Sequence, residues 1–230
     1  MERFINQIVL FFRPETLGLL FEAIGMTIAL TVIGCVTGFI CAFAIVYARQ
    51  SQGWLALPLR IAAILFVELF RRIPFLVITY LVLFFLAVIV KGASLFVIAI
   101  VAISIYATAY LSEIIRGGLE SVPRQQVEAA QAMNFSRWQT LVNVIIPQSW
   151  PVVLPPAFAF MVAFVKDTSL VSQIGVFELA FRGRELVNKG MSGLFAFGMI
   201  ALIYFLLSYP LTRLGRRLEK RLAPSRNQRS

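Results

Sequence analysis

Four consecutive residues, Lys166, Asp167, Thr168 and Ser169, interrupt an otherwise apolar stretch with two opposite charges and two hydroxyl groups. A zwitterionic ligand needs a cation and an anion in its binding site, and this cluster supplies both. Neighbouring residues of a helix project to different faces, which argues against one shared site. The alternative is that the lysine and the aspartate neutralise each other and only stabilise a break in the helix.

A second charged group, formed by Glu68, Arg71 and Arg72, stands just before Pro74 and a long apolar stretch. It is the next candidate for contact with a charged ligand. Three tyrosines either line the same path or pack inside the protein, and the sequence leaves both interpretations open: Tyr80, Tyr106 and Tyr110.

The residue types that are missing exclude several chemistries. The chain has no histidine, which excludes histidine-metal sites and histidine-based catalytic triads. Cys35 and Cys41 are six residues apart in one apolar run and therefore lie on different faces of a helix. No G-x-x-x-x-G-K-[ST] segment is present, so the chain does not bind a nucleotide through a P-loop. We expect no catalytic residue, metal or cofactor on this chain.

The composition indicates an integral membrane protein. Of the 230 residues, 60% are hydrophobic and 14% are charged, whereas a soluble domain carries about 25% charged residues. The net charge is +10, but the basic residues lie between or after apolar runs, as they do in the cytoplasmic loops of membrane proteins. A soluble cytosolic enzyme is therefore excluded, and nucleic acid is not an expected partner.

Four charge-free apolar runs predict transmembrane helices, because a bilayer crossing takes about 20 apolar residues. They cover residues 23–48, 73–90, 92–112 and 190–212. The apolar segment 55–70 contains Arg60 and Glu68, and we interpret it as an interfacial or kinked lead-in to the second span.

A fifth span is predicted in the proline-rich stretch 138–165. Because proline breaks helix interiors, the helix there should begin near Pro155 or Pro156, and residues 168–177 should complete the crossing or fold back beside it. With a rise of about 1.5 Å per residue, Lys166 then lies roughly mid-membrane. The predicted fold is an all-α integral membrane protein with about five transmembrane helices in one domain, residues 1–230; six spans is the alternative.

The distribution of Lys and Arg predicts the orientation. With five spans, the positive-inside rule places the C-terminus and its basic tail, residues 213–230, in the cytoplasm and the N-terminus outside. The loop of about residues 116–150 then faces the cytoplasm.

This loop has the pattern of two short helices with a sharp break between them. Residues 125–133 favour a helix, and Asn134 is able to end it in the left-handed conformation. Ser136 then opens a capping box with a glutamine three residues later. The second helix is predicted to run to Ile146 and to stop at Pro147. Such a compact, protruding element is suited to docking in a groove of a partner.

The segments Glu128-Ala129-Ala130, Asn134 and Ile146-Pro147 together resemble the EAA loop of bacterial ABC importer permeases. Flanking segments are similar to the polar amino acid subfamily: residues 113–123, Pro147-Gln148, residues 166–170 and residues 68–74. The resemblance covers roughly residues 26–211. In three positions the chain departs from the usual glycine of the family: Asn134, Arg72 and Gln125.

The resemblance implies a type I ABC importer permease whose EAA loop acts as a coupling helix in a cleft of an ATP-binding subunit. Small alanines allow close approach, and Glu128 offers a charge-assisted partner for a cation. The residues expected to dock are Glu128, Ala129, Ala130, Ala132, Met133, Asn134, Ser136 and Pro147.

The same resemblance implies the partners. These are two ATP-binding subunits that hold ATP and Mg, a second permease chain, an extracytoplasmic binding protein and a polar amino acid as substrate. The expected location is the bacterial inner membrane, with several spans. Whether the permease pair is a homodimer or a heterodimer stays open, as does the particular amino acid.

Two other classes of membrane protein fit this sequence less well. An ion-coupled secondary transporter would carry inverted repeats and coupling sites near the midplane, and the halves of this sequence show no useful repeat. A membrane-embedded transferase would need clustered Asp, Glu or His ligands on the cytoplasmic side, and histidine is absent.

Overall fold

The computed structural model describes residues 2–51 and 53–222, and for residues 2–6 the backbone alone. The described part of the chain is helical and contains no strand. Its helices are α1 (Glu2–Phe11), α2 (Pro14–Gln50), α3 (Leu57–Phe70), α4 (Phe75–Ile89), α5 (Leu95–Glu120), α6 (Arg124–Ala132), α7 (Arg137–Thr140), α8 (Ile146–Asp167), α9 (Leu179–Asn188) and α10 (Gly193–Leu222). Residues 223–230, the end of the predicted basic tail, lie outside the described residues.

The count of about five spans is confirmed. Three single helices are long and apolar enough to cross a membrane, namely α2, α5 and α10, and so is the continuous helical run Arg137–Ile174. A fifth span results if the pair formed by Trp54–Phe70 and Phe75–Ile89, which bends by 117° at the break, is counted as one broken crossing. The first span begins earlier than predicted, because α2 starts at Pro14, where proline suits the first turn.

The bent pair differs from the straight span predicted over residues 73–90. Helix α4 has 15 residues, or about 22 Å, which is less than the hydrocarbon core of about 30 Å. Pro74 disfavours the helical conformation in the residue before it and so separates α3 from α4. Arg49 at the end of α2 and Arg71 at the end of α3 both contact Glu113. The ends of α2 and α3 therefore lie beside the same residue of α5, at the same depth. Helix α3 thus leads into α4 and is not a separate crossing.

Two helix boundaries predicted from the prolines are wrong: the end of the second loop helix at Pro147, and the start of the fifth span near Pro155 or Pro156. A π-helical turn, Leu141–Ile145, joins α7 directly to α8. Helix α8 starts at Ile146 and keeps Pro151, Pro155 and Pro156 inside. Membrane helices tolerate proline where π-type adjustments and neighbouring helices compensate for the lost hydrogen bonds. Lys166 lies 20 residues after Ile146, but part of α8 lies beside the loop outside the span, so the depth of Lys166 in the membrane stays a prediction.

Helices α2 and α5 form the centre of the bundle along a stripe of small residues. A Cβ atom added to Gly38 would lie 2.5 Å from the Ala107 Cβ, so only glycine fits this contact. Hydrogen bonds reinforce the contact: the Thr108 hydroxyl donates to the Gly38 carbonyl at 3.3 Å, and the Thr37 and Ser104 hydroxyls lie 2.5 Å apart. Small residues and interhelical hydrogen bonds are the usual means by which membrane helices associate.

We expect Gly38→Leu to lower the melting temperature of the purified chain markedly, because overpacking costs about 1–3 kcal/mol even where the neighbours are able to move. Here the neighbours include the backbone oxygen of Ser104, at 3.1 Å from the added Cβ. Gly25→Leu is the matched control, since a Cβ on this glycine of the same helix meets nothing within 4 Å. Equal melting temperatures for the two variants would contradict the proposed packing role.

The segment between α8 and α10 is folded onto the bundle at the end opposite to α6. A 3-10 helix, Thr168–Ile174, leads to α9, which Glu178 caps by accepting a hydrogen bond from the Phe181 N–H at 2.9 Å. The fully buried Glu178 side chain also accepts a hydrogen bond from the Tyr204 hydroxyl of α10. This carboxylate therefore fixes α9 against α10.

Candidate functional site

The loop between α5 and α8 has the predicted local structure. Asn134 adopts the left-handed conformation with φ of 60° and ends α6. The Ser136 hydroxyl accepts a hydrogen bond from the Gln139 N–H at 3.2 Å, and the Gln139 side chain accepts one from the Ser136 N–H at 2.8 Å. The Phe135 N–H donates to the Ala130 carbonyl at 3.1 Å and closes the turn. The loop is thus a rigid protrusion with a defined outer face.

The outer face of α6 carries most of the residues predicted to dock. Glu128, Ala129 and Ala132 are exposed, and the side chain of Met133 is 69% exposed. Ala130 is an exception, since it is buried at 5% exposure and points into the loop. Its small size therefore serves the packing of the loop, and the expectation that it contacts a partner is corrected.

Trp138 is a further candidate docking residue, which was not predicted from the sequence. Its side chain is 70% exposed although it is large and apolar, and it lies on α7, which packs next to α6. Exposed tryptophan and methionine side chains are typical anchors of protein interfaces. The sequence contained one indication of this role, an aromatic residue inside a polar capping box. It did not show on which side of α7 that residue would lie.

Just inside the loop, Glu113 joins three helical segments through arginines. Its carboxylate contacts Arg49 of α2, Arg116 of its own helix α5 at 2.9 Å, and Arg71 after α3 at 3.7 Å. The Glu113 side chain is only 16% exposed. Because α5 leads directly into the loop, this cluster connects the loop to α2 and to the bend between α3 and α4. From the sequence, Glu113 is only the first residue of a motif that flanks the loop.

At the other end of α8, Lys166 and Asp167 are both exposed and form no ion pair with any described residue. The two side chains make no direct ion pair, although Lys166 still acts on the Asp167 carboxylate through its charge, so both interpretations stay open. Thr168 is fully buried, and its hydroxyl donates to the Val165 carbonyl at 2.7 Å. That hydroxyl is engaged with the backbone, whereas Ser169 is half-buried.

A row of aromatic rings connects the two charged groups that the sequence singled out. The Phe164 ring of α8 lies 5.7 Å from Tyr106 of α5, and Tyr106 lies 4.6 Å from Tyr110. The guanidinium of Arg71 sits 5.5 Å from the centre of the Tyr110 ring, and the Tyr110 hydroxyl donates to the Arg71 carbonyl at 3.1 Å. Asp167 lies three residues after Phe164, on the same side of α8. The charged groups thus mark the two ends of one continuous aromatic row.

The charged group formed by Glu68, Arg71 and Arg72 is more exposed to solvent than the Glu113 cluster. The Glu68 carboxylate accepts a hydrogen bond from Arg72 at 2.6 Å, and both side chains are exposed. Among the described residues, no three His, Cys, Asp or Glu side chains are grouped so that they could hold a metal ion. The arrangement offers charged and aromatic groups for binding.

An all-α bundle of about five apolar spans, with a helical protrusion at one end, is the architecture of a multi-pass membrane protein. The chain belongs to the family described as "Binding-protein-dependent transport system inner membrane component", which it matches over residues 34–224. This membership favours an ABC importer permease, a non-catalytic multi-pass component of the inner membrane, over an ion-coupled secondary transporter.

Individual relatives agree with the family. The chain is 32% identical over 206 residues to the glutamine transport system permease protein GlnP of Escherichia coli (strain K12), with 89% of this chain and 93% of that protein covered. It is 32% identical to the L-cystine transport system permease protein TcyB of Bacillus subtilis (strain 168), with 85% and 83% covered. A crystal structure of an amino acid ABC transporter with histidines superposes with a TM-score of 0.83 and 26% identity, over 90% of this chain and 95% of that one.

Proposed function

We propose that this chain forms one half of the membrane pathway of an ATP-driven importer for a polar amino acid. The observation that carries the proposal is the rigid loop, whose outer face presents Glu128, Met133 and Trp138. Such a face has a carboxylate for a cation of the partner and two apolar anchors. The names of the relatives, which include glutamine and L-cystine permeases, support an amino acid as the substrate.

In the proposed complex, ATP and Mg are bound by two partner ATP-binding subunits and not by this chain. Closure of these subunits on ATP pushes the loop, and Glu113 passes the movement to α2 and to the bend after α3. The spans then alternate between outward- and inward-facing states, which the partners drive only through different affinities for the two states. The N-terminus lies outside and the C-terminus in the cytoplasm.

The substrate path is proposed to follow the aromatic row between the two charged groups. Lys166, Asp167 and Ser169 stand at its outer end, and Arg71 with the Glu68–Arg72 pair stands at its inner end. Exposed charges in the membrane-spanning part of a chain are unfavourable unless they face an aqueous cavity or a partner. A second permease chain, identical or related, encloses that cavity, and an extracytoplasmic binding protein delivers the amino acid to it.

The test of this function is a reconstitution. The chain is co-expressed with candidate ATP-binding subunits and a candidate second permease chain, and the complex is purified through a tag on this chain. ATPase activity is then measured with a panel of binding proteins and amino acids. We expect an ATP-binding subunit to copurify and the ATPase rate to rise only with a loaded, matching binding protein. A purified chain that transports amino acids on an ion gradient without ATP would overturn the proposal.

The assignment of the outer end of the path predicts the behaviour of two variants. Asp167→Asn and Lys166→Met each remove one charge that could pair with a group of the substrate, so uptake per folded complex should fall by about tenfold, or the preference among acidic, neutral and basic amino acids should change. Assembly with the ATP-binding subunits should be unaffected. Lys91→Met, at an exposed lysine between α4 and α5, is the control. Unaltered rates and preferences in both variants would move the substrate site elsewhere, with the group around Arg71 next to be tested.

A further inference from the structure

The last turns of α10 carry a basic stripe that the proposed transport function does not use. Its members are spaced at i, i+3, i+4, i+7 and i+8, so they share one helical face. All of them are exposed: Arg213, Arg216, Arg217, Lys220 and Arg221. Glu219 is the only acidic residue in the same stretch. None of the five forms an ion pair with a described residue.

The opposite face of the same turns fixes the direction in which the basic stripe points. Gly215 packs against the Phe158 ring of α8 so closely that an added Cβ would lie 2.9 Å from it. Leu218 and Leu222 are half-buried on this side. Because the helix is held against α8 by its apolar face, the basic stripe is directed away from the bundle.

The position of the basic stripe along α10 places it at the membrane surface. Residues 190–212 are free of charge, and a run of that length fills the hydrocarbon core. The basic stripe begins at the next residue, Arg213, whose guanidinium lies 4.9 Å from the centre of the Tyr209 ring. Tyrosine followed by a long cationic side chain is typical of the level of the lipid headgroups.

We propose that the basic stripe is a binding site for anionic phospholipid headgroups of the membrane in which the chain is embedded. Clusters of four to eight Lys and Arg next to a transmembrane helix attract anionic lipid. A lipid is favoured over an acidic surface of a protein partner, because the basic stripe starts where the apolar span ends and faces outward from the bundle. Bound lipid would hold the end of α10, and through Gly215 the middle of α8 at Phe158, at a fixed depth.

The experiment measures lipid selectivity of the purified complex in a neutral detergent. Phosphatidylglycerol and phosphatidylcholine are titrated separately, and bound lipid is counted by native mass spectrometry. We expect tighter binding of phosphatidylglycerol, by at least about tenfold, with the preference weakening as salt screens the charges. The variant Arg216→Gln/Arg217→Gln/Lys220→Gln should lose this preference, whereas Arg216→Lys/Arg217→Lys should keep it because the charge is retained.

Arg13→Gln/Lys91→Gln is the matched control, since it removes exposed cations away from the basic stripe and should leave the preference unchanged. An unchanged phosphatidylglycerol preference in the triple glutamine variant would overturn the proposal. If that variant had in addition lost the ATP-binding subunit, the basic stripe would be assigned to a protein contact.

Discussion

Replacing Glu128 by lysine is expected to abolish ATP-driven uptake while the chain still inserts into the membrane. Glu128 is exposed on α6 and forms no ion pair with the described residues, so the change removes no contact that holds the chain together. Facing a cation of an ATP-binding subunit, a lysine would turn an attraction into a repulsion. Interfacial charge pairs of this kind are worth about 2–5 kcal/mol, which corresponds to a loss of affinity of about 30-fold or more.

The measurement compares the ATP-binding subunit that copurifies with the variant and the uptake that remains. Glu128→Gln should give an intermediate loss, because it removes the attraction without adding a repulsion. Trp138→Ala should weaken the same contact through its apolar anchor. Asn188→Lys, which adds a cation at an exposed position of α9 at the other end of the bundle, is the control. Normal uptake by Glu128→Lys would refute the docking role of this face.

The second large effect is expected for Glu113→Gln. ATP hydrolysis should no longer be coupled to transport, and the folded chain should be less stable. The neutral side chain would leave Arg49, Arg71 and Arg116 close to one another without their shared anion. Removing one partner of a buried ion pair costs about 3–5 kcal/mol, and the 16% exposure of Glu113 places it toward the lower end of that range. In the reconstituted complex, the ATPase rate should no longer respond to the loaded binding protein.

A double variant distinguishes a specific charge cluster from a general packing role. Glu113→Gln/Arg71→Gln removes one of the unpaired cations and should recover part of the lost stability, so the two effects should not add. Glu113→Asp keeps the charge and should retain part of the coupling. Additive losses in the double variant, or full coupling in Glu113→Gln, would show that the cluster does not connect the loop to the spans.

Local sequence patterns determined the parts of this protein that depend on neighbouring residues and on the solvent. Charge-free runs identified the spans, because a charge in the hydrocarbon core is unfavourable wherever the chain goes next. Asn134 and the Ser136 capping box fixed the shape of the loop, because a left-handed residue and reciprocal backbone hydrogen bonds act within a few positions. The EAA pattern on this loop also predicted the family, which the match over residues 34–224 confirmed.

Features that depend on contacts between distant segments were decided by the tertiary structure alone. Pro151, Pro155 and Pro156 remain inside α8, because the packing of neighbouring helices and a π-helical turn offset the hydrogen bonds that proline removes. The inward direction of Ala130 and the outward direction of Trp138 follow from how the loop helices pack. Glu113 meets Arg49 across 64 positions of the chain. Sequence spacing sets which residues share one helix, but only the packed bundle decides which helices face each other and therefore which charges meet.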